Sequence, residues 1–92
     1  MMPIMVTRTD FNRYMMPTYN PASFIPSKAK GSLVWDKKNK KYIDFASGIA
    51  VSSLGHCHPE LNKALVDQSK KMWHLSNVLM NEPAIRLSLI HI

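Results

Sequence analysis

The side chains best suited to chemistry crowd at one place, His56-Cys57-His58, with His74 further on. A zinc site needs four ligands in tetrahedral array, in pairs spaced by roughly two to five residues. These three are nearly adjacent, and no second pair of cysteines or histidines stands at such spacing. Gly55 and Pro59 frame them, so the preferred reading is a turn that leads into a helix; a metal-binding scrap is the rival. Cys57 as a nucleophile would also need an oriented base, which adjacency in sequence does not supply. With only three glycines there is no Walker-type phosphate loop and no dinucleotide fingerprint. No Ser-His-Asp or paired-carboxylate arrangement stands out. The residues by themselves therefore give no complete active site.

The elements that would position these groups are few. Thr9 or Asp10 is placed to cap a helical turn over Phe11 to Met15, ended by Met16-Pro17 because the residue before proline avoids the helical region. Pro17 to Ala22 reads as extended chain. From Phe24 to Val51 the signals are β: Leu33 and Trp35, then Tyr42, Ile43 and Phe45, flank Asp36-Lys-Lys-Asn-Lys40. That loop suits a hairpin with Asn39 in the left-handed conformation, which asparagine tolerates well. Pro59 and Glu60 suit a helix N-terminus. Leu61, Ala64, Leu65, Gln68, Met72 and Leu75 then predict an amphipathic helix over 59–75. Asn81-Glu82-Pro83 predicts the cap and first turn of another.

Composition bounds the rest. The chain has 92 residues, 46% hydrophobic and 20% charged, with one cysteine. That suits a folded soluble protein and excludes a disulfide framework. No apolar run approaches the about 18 residues that cross a bilayer. Met1 to Val6 is too short for a signal-peptide core, so a cytoplasmic protein is expected. The net charge is +6, and six of the twelve cations fall between Lys28 and Lys41. A basic nucleic-acid module using that cluster with Trp35 and Tyr42 is the second rival. A solvated hairpin tip is preferred, with no nucleic acid and no membrane as partners. One hairpin and one and a half helices do not enclose a core; the pieces read as the beginning of something larger.

Read in order, the blocks are Pro17-Thr-Tyr-Asn-Pro21, Phe24-Ile-Pro26, Gly31-Ser32, Val34-Trp-Asp36, Tyr42-Ile-Asp-Phe45 and Gly48-Ile-Ala-Val51. They run on through Leu54-Gly-His-Cys-His-Pro59, Gln68, Trp73-His74, Ser76-Asn77 and Asn81-Glu-Pro-Ala84 with Arg86 and Leu87. This succession resembles the N-terminal end of the class III pyridoxal-phosphate-dependent aminotransferases. Within that family it is most similar to the bacterial branch acting on N-acetylornithine and N-succinyldiaminopimelate. Each block is weak alone, but their order and spacing over about three-quarters of the chain are specific.

The resemblance implies an α/β fold, the N-terminal part of the pyridoxal-phosphate-dependent type I transferase fold. It divides the chain into an N-terminal segment (1–22), a small-domain hairpin region (23–55), a helical region leading into the large domain (56–86) and a tail (87–92). It implies a homodimer that moves the δ-amino group of N-acetylornithine, or the matching group of N-succinyldiaminopimelate, to 2-oxoglutarate in arginine or lysine biosynthesis. Succinylornithine or another ω-amino donor is the alternative. Pyridoxal 5'-phosphate is the implied cofactor, held by a lysine Schiff base, an aspartate and a phosphate cradle that lie beyond residue 92. The chain alone is thus expected to be inactive, and with an unpaired helix face to fold poorly or aggregate. Tyr19 matches a tyrosine lining the substrate entrance. Ile49 stands where ornithine aminotransferases place a tyrosine, which implies an acylated donor instead of ornithine. Ser76 and Asn77 match a loop at the active site and dimer interface. Ala29, Asn39 and Asn62 depart mildly from the family pattern.

The ending departs more. Leu87-Ser-Leu-Ile-His-Ile92 is what CTG TCT CTT ATA CAC ATC encodes, a string that resembles a transposase adapter used in sequencing libraries. The expectation is that residues 87–92 are adapter-encoded. Sequencing genomic DNA across the Arg86 codon should show the frame departing from this hexapeptide; native DNA with the same tail and a stop would refute it.

Overall fold

A computed structural model describes residues 5–91, which fall into two units divided between His58 and Pro59. The first opens with helix α1 (Arg8–Tyr14). Its cap is Thr7, two or three residues earlier than the expected Thr9 or Asp10. Asp10 instead reaches back from the first turn, its carboxylate accepting the Thr7 N–H at 2.8 Å and hydroxyl at 3.0 Å. The helix stops at Tyr14 as the approach of Pro17 requires. Arg8 ties the following extended chain to α1, its guanidinium donating to Asn20 Oδ1 at 2.9 Å and to the Pro21 carbonyl at 2.7 Å.

The β region is a three-stranded antiparallel sheet, β1 (Pro26–Lys30), β2 (Leu33–Asp36) and β3 (Lys41–Ile43), in that order. The β2–β3 hairpin is the one expected, with Val34 opposite Tyr42 and Trp35 opposite Lys41. Asn39 takes φ 67° in its loop. Strand β1 falls within the stretch read as β from Phe24 onward, although Pro26-Ser-Lys-Ala-Lys30, a polar run without alternation, did not mark it as a strand of its own. It joins through Lys28, Ala29 and Lys30 opposite Trp35, Val34 and Leu33, after an irregularity between Pro26 and Lys28.

One charged group holds the hairpin loop. Asp36 is 8% exposed, the only buried polar residue among those described. Its Oδ1 accepts the N–H groups of Lys38 at 2.8 Å and Lys40 at 3.0 Å, and its Oδ2 accepts the Tyr42 hydroxyl at 3.0 Å. Burial opposes ionisation, but the Lys40 N–H, the Tyr42 hydroxyl and the Lys38 N–H outweigh it and hold the carboxyl below the usual range. The Tyr42 ring stacks on Phe24 with centroids 4.1 Å apart. Lys28 lies over the Trp35 ring and Lys40 over the Tyr42 ring, so the two aromatics of the basic cluster carry cations from their own sheet.

In the second unit α3 (Pro59–Ser69) is shorter than the helix expected over 59–75. Past Ser69 the backbone tightens, Lys70 and Lys71 N–H donating to the Asp67 and Gln68 carbonyls, and side chains occupy carbonyls of the last turn. The Ser69 hydroxyl donates to the Val66 carbonyl at 2.7 Å, and the Trp73 indole to the Ser69 carbonyl at 2.8 Å. Lys63 and Asp67 pair at 2.8 Å as their spacing predicts. Helix α4 (Glu82–Ile90) begins where expected, with Asn81 Oδ1 accepting the Ala84 N–H at 3.1 Å.

No hydrophobic side chain among the described residues is buried, and Leu61, Leu65 and Val66 of α3 are all exposed. Hydrogen-bonded elements without buried apolar packing lack the source of cooperative unfolding. The purified 92-residue chain is therefore expected to bind a hydrophobic dye and to lose its circular-dichroism signal gradually on heating. A sharp thermal transition would contradict this.

Candidate functional site

The β signals of the sequence run on to Val51, but after β3 the chain turns. Asp44 causes the turn: its Oδ1 accepts the N–H groups of Ala46 at 3.0 Å and Ser47 at 2.9 Å. Those are donors that a strand would have offered to a neighbour, and an aspartate capturing them is a recurrent way to start a turn. The next residues form α2 (Ser47–Ala50), helical in its hydrogen bonds only, since Gly48 has φ 72° and Ile49 has φ −114°, ψ 68°. Ser47 at φ 52° and Ala50 at φ 58° also lie in the left-handed region. Non-glycine residues pay about 1–2 kcal/mol each for that conformation.

The other oxygen of Asp44 reaches a distant stretch. Its Oδ2 lies 2.6 Å from His56 Nε2, with both side chains largely shielded. The Ser47 N–H first, and then His56 and the Ala46 N–H, hold the Asp44 carboxyl below the usual range against the opposing effect of burial. The backbone of His56 is itself fastened, exchanging two 2.9 Å hydrogen bonds with Gly31. Beside it Cys57 takes φ 56°. Left-handed non-glycine residues thus flank both partners of the Asp44–His56 pair, the clustering typical of functional sites.

Of the residues singled out from sequence, Ile49 rides on the Asp44-held turn and is 93% exposed. Tyr19 is exposed, in a shallow hollow lined by Arg8, Phe11 and Asn12. Both belong to the first unit. Ser76 and Asn77 belong to the second, in the turn after α3, where Ser76 Oγ accepts the Val78 N–H at 3.3 Å. Sequence reasoning did not single out Asp44, and for His56 it preferred turn packing, with metal binding as the rival. The available signal was Asp44 two and three residues before Ala46 and Ser47, with glycine next. Among the described residues no three histidine, cysteine or carboxylate groups are arranged to hold a metal ion.

A pyridoxal cofactor needs a lysine for its aldehyde, a carboxylate for its ring nitrogen and a cradle for its phosphate. The two best-fixed carboxylates here, Asp36 and Asp44, have their oxygens committed to backbone N–H groups, Tyr42 and His56. The described residues therefore do not make up a site for that group.

Comparison with known proteins identifies the chain. The family model "Aminotransferase class-III" matches residues 14–91, and the chain belongs to that family. It is 63% identical over 84 residues to the acetylornithine/succinyldiaminopimelate aminotransferase of Buchnera aphidicola subsp. Schizaphis graminum, covering 91% of this chain and 21% of that protein. Its fold is similar to crystallised N-acetylornithine aminotransferase from Stenotrophomonas maltophilia, with TM-score 0.75, 36% identity and coverage of 90% of this chain and 21% of that one. It is also similar to taurine:2-oxoglutarate aminotransferase from Bifidobacterium kashiwanohense in complex with PLP and glutamate, with TM-score 0.78, 26% identity and coverage of 97% and 22%. The chain thus spans about one-fifth of the length of the relatives it matches. Its elements are those of an N-terminal piece of the aminotransferase α/β fold.

Gly55 is the tightest point of this arrangement. A Cβ there would lie 3.0 Å from both Cα and O of Gly31, at φ +79°, whereas a Cβ on Gly31 meets nothing within 4 Å. We expect a chimera carrying residues 14–86 in place of the matching Buchnera segment to lose about 1–3 kcal/mol of stability with Gly55→Ala. Gly31→Ala should cost less, since only its backbone conformation is strained. Equal losses in thermal or denaturant unfolding would count against the close approach.

Proposed function

We propose that this chain is the N-terminal part of an aminotransferase that moves the δ-amino group of N-acetylornithine, or the matching group of N-succinyldiaminopimelate, to 2-oxoglutarate. The observation that carries the proposal is Ile49, which stands 93% exposed on a fixed turn in a chain of the class III family. An isoleucine offers no hydrogen bond to the α-amino or carboxylate group of free ornithine, and leaving such groups unpaired is costly. It offers apolar contact to an acyl group. Tyr19 lines the substrate entrance, and Ser76 and Asn77 serve the loop at the dimer interface.

Pyridoxal 5'-phosphate supplies the electron sink for amino-group transfer when bound, and the residues that hold it come from elsewhere in the full-length enzyme. The 92 residues alone are inactive. The full-length protein is a cytoplasmic homodimer of arginine or lysine biosynthesis. No helix among the described residues is long and apolar enough to cross a membrane.

The Buchnera chimera tests this reading. It should transaminate N-acetylornithine and discriminate against ornithine, and Ile49→Tyr should shift the ratio of kcat/KM values toward ornithine by about tenfold. A soluble chimera without activity on either acylated donor would overturn the proposal. An unchanged ratio would remove Ile49 from the substrate site.

A further inference from the structure

We infer that Asp44 and His56 are positioning residues that set where Ile49 stands against the substrate; the inference rests on the functional reading above. Ile49 is 93% exposed within this segment, so the segment itself places it through its backbone and not through side-chain packing. That backbone is a strained one, with left-handed residues at Ser47, Gly48 and Ala50. Such conformations persist only where the surroundings over-determine them.

The restraints converge on Asp44. Its N–H donates to the Ser32 carbonyl at 2.8 Å, which fixes its main chain against the sheet side of the unit. Its Oδ1 takes the first two N–H groups of the turn, and its Oδ2 is held at 2.6 Å by His56. His56 is immobilised in turn by its paired hydrogen bonds to Gly31. The imidazole therefore sets the carboxylate rotamer, the carboxylate sets the turn, and the turn aims Ile49. Neither side chain needs to touch substrate to do this.

The test compares the unaltered chimera with Asp44→Ala, Asp44→Asn, His56→Leu and His56→Gln, each also combined with Ile49→Ala. Asp44→Ala should raise KM for N-acetylornithine about tenfold with kcat changed less than about threefold. In the Ile49→Ala background the same change should add less than about twofold, because the residue it positions is gone. Asp44→Asn keeps an acceptor for both N–H groups and should stay near the unaltered chimera. His56→Gln should be milder than His56→Leu.

A KM effect as large with Ile49→Ala as without it would assign Asp44 a general structural role and overturn the inference, as would no effect at all. If Asp44→Ala yields no soluble protein, His56→Leu against His56→Gln in the two backgrounds decides by the same criterion. An active unaltered chimera without coupling overturns only this inference. A soluble but inactive one overturns the functional reading and this inference with it.

Discussion

The carboxylate of Asp44 divides its two oxygens between two stretches of chain, and the arrangement of the first unit follows from that division. One oxygen converts the end of β3 into a turn by removing the N–H groups of Ala46 and Ser47 from strand pairing. The other reaches twelve residues on to His56, whose backbone is paired with Gly31 at the β1–β2 turn. The link closes a loop by polar contacts at one end of the sheet, where the end of β3 lies beside the β1–β2 turn. A carboxylate is suited to the task because it accepts several hydrogen bonds at once and keeps its charge when they come from N–H groups.

Asp36 repeats the same solution at the hairpin tip, where loop N–H groups and the Tyr42 hydroxyl converge on one carboxylate. Short polar clasps thus organise the sheet in the absence of a buried apolar core among the described residues. Such clasps fix local geometry well and contribute little net stability compared with apolar burial. The large exposed side chains, Phe45, Ile49 and Trp73 among them, are consistent with a segment that spans one-fifth of its relatives' length.

Much of this was legible in sequence where a residue has one strong local preference. Asn39 in the hairpin loop, Pro59 opening α3 and Asn81 capping α4 each act through their immediate neighbours, and each is placed as read. Strand β1 lies in the stretch read as β but was not marked as a separate strand, because Pro26-Ser-Lys-Ala-Lys30 has neither alternation nor β-branched residues; it is a strand because β2 offers it a partner. The end of α3 was overestimated because apolar spacing continues past Ser69 while the backbone there tightens into turns, with Lys70 and Lys71 N–H donating three residues back. Ile49 was picked out through family resemblance alone, since an isolated isoleucine carries no chemical signal. Asp44 and His56 were hidden for another reason. Their partnership is a contact between residues twelve apart, and no spacing rule for helix or strand brings such positions together.

The outer strands of the sheet have a consequence for self-association. Strand β1 starts with a proline, which has no N–H to give, is irregular at Ser27 and carries Lys28 and Lys30. Strand β3, at the opposite margin, has only three residues and opens with Lys41. Proline, irregular register, shortness and lysine charge each discourage a further strand from adding at an edge. Cross-strand growth into fibrils is thereby disfavoured, and any clumping of the free chain is left to its exposed apolar side chains, those of α3 and α4 together with Phe45, Ile49 and Trp73. Such deposits would be amorphous and rich in helix, without the regular spacing of stacked strands.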